Sequence, residues 1–393
     1  MISISRHIGK VSFTGNPIML GIQTWDHLDS SSNPRPFYTL FCEIFLEAPS
    51  SGGAPYETLS INPDSEGKGI FDLAPVLKDL TKPTIAWPAQ TPAQAVKDTD
   101  ARVAFWVRIR DGYGTPFVLK DVQISTVNPY YAIPGGLTDE VLKGIEDGTS
   151  NCEAFLSSNK IFFTSIPAKK RVYPTQIELL RFFNWIATAS GANVYALKAK
   201  QYLWDGTNTT TTAWTGTLDI LSIYTFNVTP SLLSISDNAV WWEVWIEKDG
   251  ATISEKISYS KNEEKPTNPR LFVMRNSLAG FDTIVATGSR TITAEGSTQT
   301  GYVAQQSAVR KWLQPMQTRR TSKNVYKGSL GYFNNDELAW LREFFNSEEK
   351  YLFDKGKLEH VMLRNDDFPA ETDEPPGRIE IEAVLGSPFT FFF

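Results

Sequence analysis

Hydrophobic and polar residues alternate along much of the chain, most clearly in three stretches that each run into an Asp-Gly pair. These stretches are Arg102–Gly112, Val194–Gly206 and Val240–Gly250. Alternation places one set of side chains on the core face of a strand, and Asp-Gly supplies the positive φ angles of a tight hairpin. The pattern therefore predicts a mainly antiparallel β protein with a hairpin turn at each Asp-Gly pair.

Turn signals and composition divide the chain into three segments. Residues 1–128 contain short strands separated by clusters of Gly, Pro and Ser, which predicts an N-terminal β-sandwich. Residues 129–262 form a second β domain with two of the Asp-Gly hairpins, and residues 263–393 form a C-terminal β-rich domain with one helix. Because 393 residues exceed the usual size of one hydrophobic core, two to three antiparallel sandwich-like domains are expected.

One helix is predicted near the C-terminus, over about residues 335–346. Leu338, Leu341, Phe344 and Phe345 recur at helical spacing, and Asn334 precedes them as a capping residue. This helix is the only strong helical pattern in the mainly β fold.

The structure of Pro174–Ile186 stays open between helix and strand. A proline at the first position and an apolar stripe at helical spacing suit a helix. The richness in aromatic residues and the position before a hairpin strand favour a strand. The neighbouring Thr-rich stretch Thr207–Thr217 favours extended backbone, so we expect an exposed loop or an edge strand there.

Charge and composition narrow the classes of partner. The net charge of -6 gives no basic stripe, so no nucleic acid is expected. No segment approaches the roughly 20 apolar residues of a membrane helix, so no membrane is expected either. With only Cys42 and Cys152, the chain is expected to fold in a cytoplasm, with Cys42 as a buried structural thiol.

Residue types for catalysis are sparse and scattered. The three histidines, His7, His27 and His360, stand in no nucleophile-base motif, and the two cysteines lack zinc-ligand spacing. The adjacent carboxylates Asp336-Glu337, Glu348-Glu349 and Asp366-Asp367 give no positive signal, because glycosidase carboxylates face each other from separate elements. We therefore predict no enzyme and assign no catalytic, metal or cofactor-binding residue and no cofactor.

Aromatic residues supply the candidate interface. Trp241 and Trp245 share one face of a predicted strand, which is either an exposed aromatic platform or a face covered by a neighbouring sheet or subunit; the covered alternative is favoured. Phe391, Phe392 and Phe393 make the chain end unusually apolar. This end either packs into the core, which is favoured, or docks on a partner.

Three stretches resemble a known group of proteins. They are Val11-Ser-Phe-Thr-Gly-Asn-Pro-Ile-Met-Leu20, Gly69-Ile-Phe-Asp-Leu-Ala-Pro-Val-Leu77 and Leu271-Phe-Val-Met-Arg-Asn-Ser-Leu-Ala-Gly-Phe-Asp-Thr283. Together they resemble β-rich virion structural proteins of tailed phages that infect Bacteroidetes, the crAss-like phages among them. The resemblance implies a tail, neck or baseplate subunit in the virion, made in the bacterial host cytoplasm. It also implies that Pro174–Ile186 is a strand, and it transfers no catalytic residue.

The expected function is that of a non-enzymatic structural subunit of a phage or phage-like particle. Its expected partners are copies of itself and other virion structural proteins, through homo-oligomeric and heteromeric interfaces. Two alternatives remain: a carbohydrate-binding or adhesin module, which would present Trp and Tyr in a shallow groove, and a polysaccharide-degrading enzyme on a β scaffold. A glycan partner therefore stays open.

Overall fold

The computed structural model describes residues 2–49, 53–85, 87, 95–120, 124–138, 155–156, 162–185, 193–263, 269–306, 311–333, 335–354, 356–364 and 378–392. Within these residues the chain is mainly β, with several antiparallel sheets in multiple β domains and few helices. The predicted fold class is confirmed.

The first part of the chain forms a two-layer sandwich. One layer is the three-stranded sheet β1-β3-β6, and the other is built on the path β2-β11-β8-β4-β5, with β9 and β10 paired to β8. The strands are β1 (Ile2–Arg6), β2 (Val11–Phe13), β3 (Met19–Thr24), β4 (Thr39–Phe45), β5 (Glu57–Ile61), β6 (Lys68–Asp72), β8 (Val103–Tyr113), β9 (Val118–Leu119), β10 (Ile124–Ser125) and β11 (Tyr130–Ile133). A short helix, α1 (Ala74–Lys78), follows β6.

The register in this sandwich follows the hydrophobic alternation. Cys42 of β4 lies opposite Ile109 of β8, and both are fully buried between the two layers. On the other face of the same strands, Arg108 donates to Glu43. Period-two patterning thus separates an apolar core face from an ion-paired face.

The second part packs two further sheets around a core that includes Trp242 and Phe226. One sheet has the order β12-β19-β17-β14-β15, with β18 paired to β17, and the other has the order β13-β16-β7, in which the first part of the chain contributes β7. The strands are β7 (Ala95–Asp98), β12 (Lys170–Val172), β13 (Leu179–Asn184), β14 (Tyr195–Leu203), β15 (Asn208–Gly216), β16 (Ser222–Asn227), β17 (Ala239–Lys248), β18 (Ala251–Thr252) and β19 (Ile257–Lys261).

The third part is a seven-stranded sheet with one helix. Its order is β21-β20-β24-β25-β26-β23-β22, and helix α2 (Asn335–Asn346) packs Leu338, Leu341 and Phe344 onto it. The strands are β20 (Arg270–Arg275), β21 (Phe281–Ala286), β22 (Arg290–Gln306), β23 (Lys311–Tyr332), β24 (Lys350–Asp354), β25 (Lys357–Leu363) and β26 (Arg378–Phe392). The predicted C-terminal helix is confirmed; its predicted cap, Asn334, lies outside the described residues.

Two of the three predicted Asp-Gly turns are confirmed. Gly206 (φ +83°) turns the chain between β14 and β15, and Asp249 and Gly250 (φ +48° and +83°) turn it between β17 and β18. The ambiguous stretch contains β13, so its strand interpretation is confirmed. The Thr-rich stretch is β15, at the edge of its sheet.

The predicted turn at Asp111-Gly112 is wrong, because β8 runs through both residues to Tyr113. Asp111 is buried and accepts a hydrogen bond from Tyr38 Oη at 2.9 Å. Gly112 lies under Phe117, whose Cζ would be 2.4 Å from a Cβ at that position. In this Asp-Gly pair, Asp111 therefore accepts a buried hydrogen bond and Gly112 leaves room for the Phe117 ring. The pair does not change the direction of the chain.

The sheet β13-β16-β7 connects the parts of the chain. Every residue of β13 and β16 is buried, and β7, which comes from the first predicted segment, pairs with β16 from the second. Similarly, β2 pairs with β11, on the far side of the predicted boundary at residue 128. The predicted limits 1–128, 129–262 and 263–393 stay predictions, and these two pairings cross the first of them.

Candidate functional site

The predicted interface tryptophans lie on the outer face of the sheet β12-β19-β17-β14-β15. Alternation along β17 sends Trp242 inward, where it is 1% exposed and stacks on Tyr259 with ring centroids 5.8 Å apart. Trp241 and Trp245 point to the opposite face, as the sequence predicted. The two residues have different surroundings there.

Trp241 is part of a stack that runs across the sheet. Its ring lies 3.7 Å from that of Tyr202 in the neighbouring strand β14, and the two planes differ by 5°. Lys169 Nζ lies 4.8 Å from the Trp241 centroid, and Lys200 Nζ lies 5.0 Å from the Tyr202 centroid. We call these four residues the lysine-capped stack. Each ring of the aromatic pair has an ammonium group over it. The ring quadrupole attracts this cation, so both contacts are favourable cation–π interactions.

Trp245 is buried, with 6% of its surface exposed. Its Nε1 donates to Glu247 Oε1 at 2.9 Å, and Lys256 Nζ lies 4.9 Å from its ring. Glu247 also pairs with Lys198 at 3.7 Å. The Trp245 ring is therefore enclosed by charged groups of its own chain, which compensate one another and leave no open platform on this ring.

The predicted C-terminal interface residues fall at the end of β26. The backbone of β26 pairs with β23, with Phe391 opposite Arg320 and Phe392 opposite Arg319. Phe393 lies outside the described residues. The chain end is thus incorporated into a sheet, and the prediction of an interface at Phe391–Phe393 stays a prediction.

A long β-ribbon extends from this sheet. β22 and β23 pair antiparallel from Arg290 opposite Gly328 to Gln306 opposite Lys311, whereas the pairing of β26 with β23 begins at Arg319. Beyond that point the described backbone consists of two strands. We call residues 300–306 and 311–317 the ribbon tip. Sequence analysis did not identify the ribbon, since its alternation is weak and it is rich in Thr, Gln and Gly.

Three of the carboxylates considered for catalysis bind arginine side chains. Glu337 binds Arg171 through both oxygens, and Glu348 and Glu349 both bind Arg275. Burial raises the pKa of the Cys42 thiol to about 12. No group of three or more metal-ligating side chains occurs in the described part of the chain.

A buried charged cluster that sequence analysis missed joins the second and third parts. Lys170 Nζ donates to both oxygens of Glu178 at 2.8 Å, and Thr283 donates to Glu178. Burial raises the pKa of Glu178, although Lys170 opposes this effect. The neighbouring Asp282 accepts hydrogen bonds from Thr164 at 2.6 Å and from three further donors: Ser165, Asn276 and Trp340. Tertiary contact brings the two sides of the cluster together, because Glu178 and Thr283 are 105 positions apart and Thr164 and Asp282 are 118 positions apart.

Comparisons with known proteins identify no family. No family model matches the chain, and no curated protein matches it. Among solved structures, the chain is similar to the full extracellular region of plexin A4 at 9% identity and a TM-score of 0.18. That match covers 98% of this chain and 36% of the solved plexin chain, so this chain spans about a third of the length of that extracellular region.

The helices that the structure describes include none long and apolar enough to cross a bilayer.

Proposed function

We propose that the chain is a non-enzymatic structural subunit of a phage or phage-like particle, in the tail, neck or baseplate region. It acts through homo-oligomeric and heteromeric protein interfaces, and it reaches the virion after synthesis in the bacterial host cytoplasm. The observation that carries this proposal is the β-ribbon formed by β22 and β23. The sequence resemblance to phage virion proteins supports the same class.

The described backbone of the ribbon tip consists of two paired strands. Residues 300–306 pair with residues 311–317 and, within the described residues, with no other strand. A tip of this length extends roughly 20 Å beyond the third strand at the usual rise per residue. Because a two-stranded hairpin is at best marginally stable in water, a projecting ribbon of this kind is typical of an element that binds a partner.

Among the described strands, none pairs with the outer edge of β22. β22 ends the sheet order, so one row of its backbone N–H and C=O groups faces away from β23. Its seventeen residues include neither proline nor lysine, which natural edge strands use against pairing, and Ile292 on this strand is 44% exposed. A neighbouring subunit that adds a strand here would satisfy the backbone groups and cover the ribbon.

Particle incorporation tests this function directly. Particles purified on a density gradient should contain the chain at a constant ratio to the major capsid protein. A variant in which residues 300–317 are replaced by Asn-Gly should keep its circular dichroism spectrum and remain in the soluble fraction. The control Trp204→Ser changes an exposed residue beside the β14–β15 hairpin turn and should enter particles normally. Recovery of the unmodified chain only in the soluble fraction would refute the proposal.

A further inference from the structure

We propose that the lysine-capped stack, with the Thr-rich strand β15 beside it, binds an acidic polysaccharide whose sugars carry carboxylates. This inference concerns a ligand on the outer sheet face and does not depend on the proposed role in a particle.

The two lysines of the stack differ from the other lysines of this sheet face. Within the described residues neither Lys169 nor Lys200 forms an ion pair, whereas Lys198 pairs with Glu247 and Lys256 pairs with Glu243, each at 3.7 Å. Glu243 lies opposite Lys200 in the register, but its carboxylate is engaged by Lys256 and by Tyr202 Oη. One part of the face is therefore internally neutralised, and the other presents two ammonium groups that have no ion-pair partner among the described residues. Charge complementarity assigns an anion to the second part.

The ammonium groups are also held in place. Each lies over an aromatic ring, and the two rings stack at 3.7 Å, so the lysines stand at opposite ends of one rigid unit. Tyr202 Oη donates to Glu243 at 3.2 Å, and this hydrogen bond fixes the orientation of the Tyr202 ring. Lys169 precedes β12 and Lys200 lies on β14. These strands are three strand spacings apart, so the backbones of the two lysines are separated by about 14 Å. Two cations at fixed separation match a chain with repeated negative charges better than a single small anion.

Neutral hydrogen-bonding groups extend this surface. Register places Thr210 of β15 opposite Lys200 and Asn208 opposite Tyr202, and both side chains are exposed. A row of hydroxyl and amide groups beside fixed cations suits sugar hydroxyls between carboxylates.

The ring geometry argues against single-stranded nucleic acid. Proteins that bind it stack bases on exposed aromatic faces. Here Tyr202 and Trp241 stack on each other, and each has a lysine ammonium over its ring, so no ring face is left free for a base. The recognition we propose is therefore ionic and hydrogen-bonding, with the rings as supports.

Calorimetric titration of the full chain with an alginate oligosaccharide, a polymer of uronic acids, tests the inference. The double variant K169Q/K200Q should weaken binding about five- to tenfold, the effect of two partly exposed ion pairs. The control K10Q/K78Q removes the same charge from two exposed lysines of the first part and should bind as the unmodified chain does. K169R/K200R should retain binding.

Three probes define the chemistry of the ligand. A neutral dextran oligosaccharide should not bind, and poly-glutamate and an oligo-dT of matched charge should bind more weakly than alginate. Equal loss in the two Lys→Gln double variants would reduce the site to general electrostatics and overturn the proposal. Equal or tighter binding of poly-glutamate or oligo-dT, or no saturable alginate binding, would also overturn it.

Discussion

Arg181 lies where all three parts of the chain meet. Its Nη2 donates to Asp98 of β7, and its Nη1 donates to the carbonyl oxygen of Ala279 at 3.0 Å. Arg181 is 1% exposed in its side chain and Asp98 is 2% exposed. Thr84 donates to the same carboxylate through its N–H and its hydroxyl. One guanidinium thus links the first, second and third parts inside the protein.

The substitution Asp98→Asn should destabilise the protein by about 3–5 kcal/mol, since it leaves the buried Arg181 charge without its partner. The matched control is Asp219→Asn, which breaks the exposed pair with Lys97 at 2.7 Å and should cost less than about 1 kcal/mol. Urea unfolding followed by tryptophan fluorescence measures both. Similar costs for the two variants would show that the buried pair adds nothing beyond a surface pair.

A second residue-scale prediction concerns pH. Burial raises the pKa of Glu255 to about 7, partly opposed by the hydrogen bond that it accepts from the N–H of Phe162 at 3.0 Å. Because the folded state holds this proton more tightly than the unfolded state, its stabilising effect is present below the unfolded pKa and is lost as pH rises towards 7. The variant Glu255→Gln keeps an acceptor for Phe162 and carries no charge.

The unmodified protein and Glu255→Gln should therefore have similar free energies of unfolding near pH 4.5. By pH 7.5 the variant should be more stable by about 1 kcal/mol, a discounted value because the carboxyl group is only partly buried. Urea unfolding at several pH values measures the divergence. A constant difference across the range would contradict the raised pKa of Glu255.

At the scale of elements, the turn between β20 and β21 makes hydrogen bonds to distant parts of the chain. Gly280 N–H donates to Asn276 Oδ1 at 2.8 Å, while Asn276 Nδ2 donates to the carbonyl oxygen of Phe163 at 3.1 Å. Gly136 N–H donates to the carbonyl oxygen of Ser277 at 2.8 Å. The Asn276–Gly280 turn is therefore a docking point for the other two parts of the chain, as well as a strand connection.

The substitution Gly280→Ala should be strongly destabilising, because a Cβ there would lie 1.6 Å from the backbone oxygen of Phe163. We expect a cost of about 3 kcal/mol or more, since the two backbones must separate. Gly206→Ala is the control: that glycine has φ +83° and nothing within 4 Å of a Cβ, so its cost should be about 1 kcal/mol. Thermal and urea unfolding would compare the two, and a cost at Gly280 no larger than that at Gly206 would be inconsistent with a close backbone contact.

At the scale of the whole molecule, the parts share strands as well as side chains. β7 reaches the central sheet from the first part, and the Lys170–Glu178 pair and Asp282 hold the second part against the third. Burial of such pairs stabilises little by itself, but loss of one partner is costly. The parts are therefore expected to depend on one another for full stability.

A fragment of residues 1–138 tests this dependence. It contains β7 without its partner β16, so the backbone amides of residues 95–98 should lose protection from hydrogen exchange. The amides of β8, whose partners β4 and β11 lie within the fragment, should remain protected. The full-length chain is the reference for both. Protection of residues 95–98 in the fragment would mean that β7 belongs to the first part alone.

Local pattern was enough to predict several elements of the fold. β17, with Trp242 inward and Trp241 outward, follows from alternation, and α2 follows from helical spacing. The turns at Gly206 and Gly250 follow from the intrinsic freedom of glycine at positive φ. Strand period, helix period and turn chemistry are properties of neighbouring residues, so sequence alone determined them.

Tertiary structure decided where those elements meet. Asp111-Gly112 has the same local signal as the two confirmed turns, but the hydrogen bond from Tyr38 and the contact with Phe117 keep it inside a strand. Trp241 and Trp245 share one predicted face, yet only the first belongs to the lysine-capped stack. The pairing of β7 with β16 and of Arg181 with Asp98 joins residues more than eighty positions apart. Such contacts depend on which surfaces pack together, and that choice is made by the whole chain because local patterns do not specify long-range partners.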